Sequence, residues 1–161
     1  MTISVGDRMP KAGLFEPGDG GPDKLSTDDL FGGRKVVLVG MPGAFTPTCH
    51  QNHLPGFIEN RDAILAKGVD EIVVLSTNDT HVLRAWAEAS GAKGKIRFVS
   101  DGNLELITQT GLSFDGSATG MGTRARRFAM IVDDGVVTAM AVEEQRGSTA
   151  VSSAAQILEK L

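Results

Sequence analysis

The residues able to do chemistry in this 161-residue chain gather around Cys49, its only cysteine. The thiolate is the nucleophilic form of cysteine, and an ordinary thiol has a pKa near ~8.5. The neighbours of Cys49 favour the anion. Pro42-Gly43-Ala44-Phe45 reads as a turn, Thr46 as the N-cap of a helix, and Pro47 as its first residue, a position proline favours. Cys49 then falls in the first helical turn, where unpaired N–H groups and the positive end of the dipole stabilise negative charge. That setting predicts a thiol more acidic than usual. The Thr46 hydroxyl, three residues upstream, is in reach to donate to the sulfur, and Pro42 and Pro47 stiffen the turn. His53 follows Cys49 by four residues, roughly on the same face. A charged imidazole there would favour the thiolate further. His50 reads as a solvated surface histidine and His81 as a helix-surface residue. Free cysteines are more often small buried hydrophobes, so the local pattern alone leaves reactive thiol and inert packing both open.

The elements that must hold Cys49 follow from periodicity. Val36 to Gly40 is a short apolar run of strand character leading into the Pro42 turn. Leu54, Phe57, Ile58, Arg61 and Leu65 continue a helix that Pro55 should kink and Gly68 should end. Ile72 to Ser76 is the next strand. Asn78 or Asp79 caps a helix carrying Val82, Leu83 and Trp86 and closed by Gly91. Ile96 to Val99 is a third strand, and Leu104 to Thr110 a short helix. Phe128–Val132 and Val136–Val142 flank Asp133-Asp134-Gly135, a hairpin signal. A last helix is expected from about Thr149 to Leu161 with Ser148 as cap. Glu16 to Pro22 is a loop by composition. Alternating strands and helices give parallel pairs and the hairpin adds antiparallel ones, so the expectation is one α/β domain over residues 1–161, a mixed central sheet flanked by helices. Its site should sit at the carboxyl end of a strand.

Pro42-Gly43-Ala44-Phe45-Thr46-Pro47-Thr48-Cys49 resembles the peroxiredoxin signature Pro-x-x-x-Thr-x-x-Cys. The continuation His53-Leu54-Pro55-Gly56-Phe57 is similar to the peroxiredoxin-five or plant type II subfamily. Ala85-Trp86-Ala87, Arg124-Ala125-Arg126-Arg127-Phe128-Ala129-Met130, Asp134-Gly135-Val136-Val137 and Val142-Glu143-Glu144 follow in register. The resemblance spans essentially the whole chain. It implies a thioredoxin-like fold with extra N-terminal strands, and a thiolate that attacks hydrogen peroxide or a small alkyl hydroperoxide to give sulfenic acid and water or an alcohol. Cys49 matches the peroxidatic cysteine. Thr46 matches the residue whose hydroxyl bonds thiolate and peroxide, Pro42 the shielding proline, and Arg127 the arginine that orients peroxide. Displacement at oxygen puts charge on the leaving oxygen, which preorganised donors such as a guanidinium stabilise. The N–H groups of Gly43 and Cys49 would complete that set. Composition alone does not separate Arg127 from Arg124 and Arg126. Leu112, Phe114 and Met121 either line the peroxide pocket, meet a second subunit, or are ordinary core. Phe45 is expected at a homodimer interface.

The chain departs from its family at the second cysteine. The resolving position of the plant pattern falls at Val74 and that of the animal pattern near Thr149 or Ala150. A one-cysteine cycle is therefore expected, with glutathione, glutaredoxin or a thioredoxin-like protein as reductant and sensitivity to over-oxidation. A redox sensor or holdase would use the same thiol. A Cys–His hydrolase built on Cys49 and His53 lacks an evident third group. A metal site of Cys49, His50 and His53 falls short of four ligands, and no cofactor is implied. A net charge of −4 with no basic run argues against nucleic acid. No apolar stretch approaches the ~20 residues of a membrane helix, and the N-terminus lacks signal-peptide character, so a cytoplasmic protein is expected.

Overall fold

The computed structural model describes residues 2–145 and 147–161. In chain order the elements are β1 (Gly13–Gly18), β2 (Gly21–Ser26), α1 (Thr27–Phe31), β3 (Lys35–Gly40), a π-helical turn (Cys49–His53), α2 (Leu54–Glu59), α3 (Arg61–Leu65), β4 (Glu71–Ser76), α4 (Thr80–Ser90), β5 (Arg97–Ser100) and α5 (Glu105–Thr110). A small hairpin, β6 (Ser113–Asp115) and β7 (Thr123–Ala125), precedes β8 (Phe128–Asp133), β9 (Val136–Val142) and α6 (Ala154–Lys160).

Seven strands form one sheet in the order β2-β1-β5-β4-β3-β8-β9. β3, β4 and β5 are parallel neighbours, joined by crossovers through α2–α3 and α4. β8 runs antiparallel to β3 and turns into β9. The mixed, helix-flanked sheet is the expected thioredoxin-like α/β architecture. Strands buried on both faces lose the usual alternation of polar and apolar residues, and the Val36–Val39 run shows this. Val36 and Leu38 join one core cluster with Leu14, Leu75 and Met130, while Val37 and Val39 join the other with Val74, Trp86 and Ile131.

Local chemistry fixes the ends. Asp79 accepts the Val82 N–H and caps α4, and Gly91 ends it at φ 77°. Asp134 and Gly135, at φ 47° and 81°, make the tight β8–β9 turn. Arg97 donates to Glu16 at 2.6 and 2.8 Å and to Glu71 at 2.9 Å, tying β1, β5 and β4 across one end of the sheet.

Two expectations need correction. Glu16 to Pro22 is not one loop but the tip of the β1–β2 hairpin, with Pro17 facing Pro22, Gly18 facing Gly21 and only Asp19 and Gly20 forming the turn. Pro22 lies in β2, an edge strand, where proline is tolerated, and Pro17 lies in β1 beyond its one pairing with β5, Phe15 with Ser100. The last helix starts at Ala154 with Ser153 as its side-chain cap, not near Ser148. Residues 150–152 form a turn instead, and the Glu143 carboxylate accepts the N–H groups of Val151 and Ser152 within it.

Candidate functional site

The sheet brings the site together by register. Gly40, the last residue of β3, pairs with Phe128, the first of β8. The chain leaving β3 therefore passes the chain entering β8, and Arg127 arrives beside the Pro42–Cys49 segment. A Cβ on Gly40 would run into the Phe128 ring, so this crossing needs glycine.

After the turn, Phe45 adopts φ 63° and stays about half exposed. The His50 N–H donates to the Thr46 carbonyl at 2.8 Å, so the helix starts at Thr46 as expected. The Thr46 hydroxyl, however, donates to the Gly43 carbonyl at 2.6 Å rather than to the sulfur. One turn on, the helix widens, and the Leu54 N–H donates to the Cys49 carbonyl five residues back. Pro55 explains the widening: it has no N–H, and its ring crowds the carbonyl four residues earlier. The expected kink is thus a π-turn that begins at Cys49 itself.

Cys49 is fully buried. Arg127 Nη2 donates to its Sγ at 3.2 Å, and Arg127 Nη1 donates to His53 Nδ1 at 3.1 Å. The other two arginines are committed elsewhere. Arg124 donates to the Pro42 and Met121 carbonyls, and Arg126 to the Glu143 carbonyl. Arg127 is 6% exposed, and its Nε has no hydrogen-bond partner among the described residues.

A guanidinium only donates, so His53 Nδ1 must accept and its proton sits on Nε2. That nitrogen donates to the Ser152 carbonyl at 2.8 Å. Burial draws the His53 pKa down to about 4; the Ser152 carbonyl opposes this and the Arg127 charge adds to it. The expectation of a charged imidazole near the thiol is therefore corrected: at neutral pH His53 is neutral and touches Arg127. His50 is also no solvated histidine. It is half-buried, and its Nδ1 accepts the Trp86 Nε1–H at 2.9 Å. His81 is exposed, as expected. A hydrolase pairing of Cys49 with His53 is not formed, because Arg127 stands between them. Cys49, His50 and His53 form no metal-binding group among the described residues.

A cleft of about 390 Å³ opens beside the buried thiol. Pro42, Thr46, Pro47, Phe114 and Met121 contribute to its walls, and Arg127 also lines it. Phe114 and Met121 thus stand where a pocket-lining role requires. Leu112 does not: it is buried in the opposite core cluster and acts through its carbonyl, which accepts the Arg126 N–H at 2.8 Å. Gly43 is buried where its turn needs a small residue, because a Cβ would lie 2.9 Å from the Thr46 methyl. Val74 is fully buried in the middle of the sheet, and Thr149 and Ala150 sit in the turn before α6.

Sequence reasoning missed three contributors. Asn78 accepts the Ala44 N–H at 2.8 Å and anchors the turn. Ser152 and Glu143 support His53 from behind. Glu143 belongs to a stretch similar to the family, yet nothing in its spacing shows that its carboxylate reaches residues 151 and 152.

Comparison with known proteins agrees with this geometry. The Redoxin family profile matches residues 4–158. Peroxiredoxin-2E-2, chloroplastic, of Oryza sativa subsp. japonica is 47% identical over 99% of this chain and 73% of its own length. The reduced Prx3 of Vibrio vulnificus in complex with H2O2 has 42% identity and a TM-score of 0.94, over 99% of both chains. The antioxidant protein (1-Cys peroxiredoxin) of Plasmodium falciparum has 27% identity and a TM-score of 0.90, over 98% of both. With the Redoxin profile and these identities running almost the length of the chain, and a fully buried thiol under an arginine fork, the chain belongs to the Redoxin family as a peroxiredoxin, a thiol-dependent peroxidase.

Proposed function

We propose that Cys49 is the peroxidatic residue and that it works in a one-cysteine cycle. The Cys49 thiolate attacks the terminal peroxide oxygen, the O–O bond breaks, and the departing oxygen takes a proton to leave as water or an alcohol. Cys49 becomes a sulfenic acid. An external thiol then condenses with it, releasing water and forming a mixed disulfide. A second external thiol reduces that disulfide and restores Cys49. The observation that carries the reading is the pair of Arg127 and Cys49: one Nη donates to the sulfur, while the buried Nε keeps a donor with no partner among the described residues. That donor stands ready for the charge developing on the leaving oxygen. Thr46, at the cleft wall, offers a hydroxyl that turns from the Gly43 carbonyl to the substrate. Pro42 covers the turn without adding an N–H that would hold water.

The absence of any second cysteine supports the external reductant, and the Plasmodium relative carries a 1-Cys description of its own. Glutathione, glutaredoxin or thioredoxin suits a thiol working in a reducing compartment such as the cytosol. The exposed Phe45 ring suits a homodimer contact.

The test is a single turnover. Reduced protein is mixed with one equivalent of hydrogen peroxide, and free thiol and residual peroxide are counted together. Equal, rapid loss of both with a trapped sulfenic acid on Cys49 is expected, and Cys49→Ser should consume none. Multiple turnovers with glutathione or thioredoxin would then separate an enzyme cycle from a one-shot sensor. A surviving thiol in the native protein would end the reading.

A further inference from the structure

We propose that Glu143 and Ser152 are positioning residues for the Cys49 reaction, acting through His53 on Arg127; this rests on Cys49 being the reacting thiol. Arg127 reaches the sulfur with one arm of its fork, so the orientation of the whole guanidinium decides whether that arm and the Nε point at the reacting atoms. The His53 Nδ1 lone pair holds the other arm at 3.1 Å. His53 offers that lone pair only as the Nε2–H tautomer, and the Ser152 carbonyl at 2.8 Å selects it.

The Ser152 carbonyl in turn points at His53 only because residues 148–152 are kept out of α6. A single oxygen does this: Glu143 Oε2 accepts the Val151 N–H at 2.9 Å, the Ser152 N–H at 2.7 Å and the Ser152 hydroxyl at 2.6 Å. Were the helix to begin near Ser148, as its sequence periodicity suggests, the Ser152 carbonyl would lie along the helix axis toward the N–H of residue 156. Instead the Gln156 N–H is taken by the Ser153 side chain. Glu143 is 6% exposed and Ser152 fully buried. Burial alone would raise the Glu143 pKa, but the Ser152 hydroxyl and the two N–H groups outweigh it and hold the carboxyl below its ordinary range. The Glu143 backbone closes the loop, its N–H donating to the Arg127 carbonyl at 2.9 Å. One residue thus reaches Arg127 by two routes, its carboxylate through Ser152 and His53 and its backbone N–H directly.

The experiment compares native protein with Glu143→Ala, Glu143→Gln and Ser152→Ala. It measures the single-turnover rate of Cys49 oxidation by hydrogen peroxide and the imidazole ¹H–¹⁵N correlations of His53, at a temperature where each variant is folded. Glu143→Ala is expected to slow oxidation by about tenfold to a hundredfold, the scale of a misplacement of roughly an ångström, and to move His53 off the pure Nε2–H pattern. Glu143→Gln keeps an acceptor oxygen and should recover much of the rate; Ser152→Ala, which removes only the hydroxyl, should fall between. Should Glu143→Ala not fold, the other two variants carry the same readouts. Folded variants with native rate and an unchanged His53 signal would overturn the proposal while leaving Cys49 as the reacting thiol. A native protein whose thiol ignores peroxide would remove that reading first, and the positioning role with it.

Discussion

At the scale of single residues, the site is three side chains with one proton arrangement. Arg127 gives, His53 Nδ1 receives, and Cys49 Sγ receives. Replacing Arg127 with alanine should lower the second-order rate with hydrogen peroxide by about 10²–10³, the typical loss on removing one preorganised donor to a developing oxyanion. Stopped mixing of reduced protein with peroxide measures it; a rate within twofold of native would shift the role to Arg124 or Arg126. His53 also makes a thermodynamic prediction. Its folded pKa of about 4 lies below the ordinary 6.5, so the unfolded chain binds the extra proton between those values. This contribution to stability is complete above about pH 6.5 and is lost as pH falls toward 4, by up to about 1.4 kcal/mol per pH unit. Urea unfolding across pH 4–7 should show the slope, and His53→Gln should flatten it. Cys49, with Thr46 and Pro42 beside it, was legible from residue types at fixed spacing, whereas Arg127 was singled out from Arg124 and Arg126 only by resemblance to the family. The states of His50 and His53 were not, since spacing shows which face a histidine shares but not what buries it or receives its proton.

Among the elements, the β3–β8 crossing matters most, because it delivers Arg127 to the helix that carries Cys49. Gly40→Ala should destabilise the fold by about 3 kcal/mol, as the added carbon meets the Phe128 ring in a filled core. Thermal or urea unfolding would read this, and an unchanged midpoint would mean that Phe128 has room to move. Most elements were readable from periodicity. The failures have local causes. The β1–β2 hairpin carries two prolines and several glycines, the composition of a loop, yet its strands pair from Gly13–Ser26 to Gly18–Gly21, with β1 also joined to β5 at Phe15 and Ser100. The start of α6 was misplaced because the polar residues from Ser148 to Ser153 offer several caps, and a distant carboxylate chooses among them. The π-turn left only Pro55 as a trace in the sequence.

Over the whole molecule, the two core layers divide the work. One face of the sheet packs Leu14, Leu38, Leu75 and Met130 away from the site, while the other includes Cys49 itself among Val39, Phe57 and Trp86. The reactive atom is thus part of the core, with Arg127 and Thr46 standing between it and the cleft they line. Trp86, the single tryptophan, is fully buried and donates to His50, the residue next to Cys49. The protein therefore carries its own optical reporter. Its ultraviolet emission comes from one indole one hydrogen bond away from the reacting backbone, so oxidation of the thiol should alter that emission without any label. Rapid mixing with excess peroxide should give a single-exponential change whose rate rises linearly with peroxide concentration and which Cys49→Ser lacks. A flat trace during proven thiol loss would mean that the chain closes over the sulfenic acid without disturbing His50.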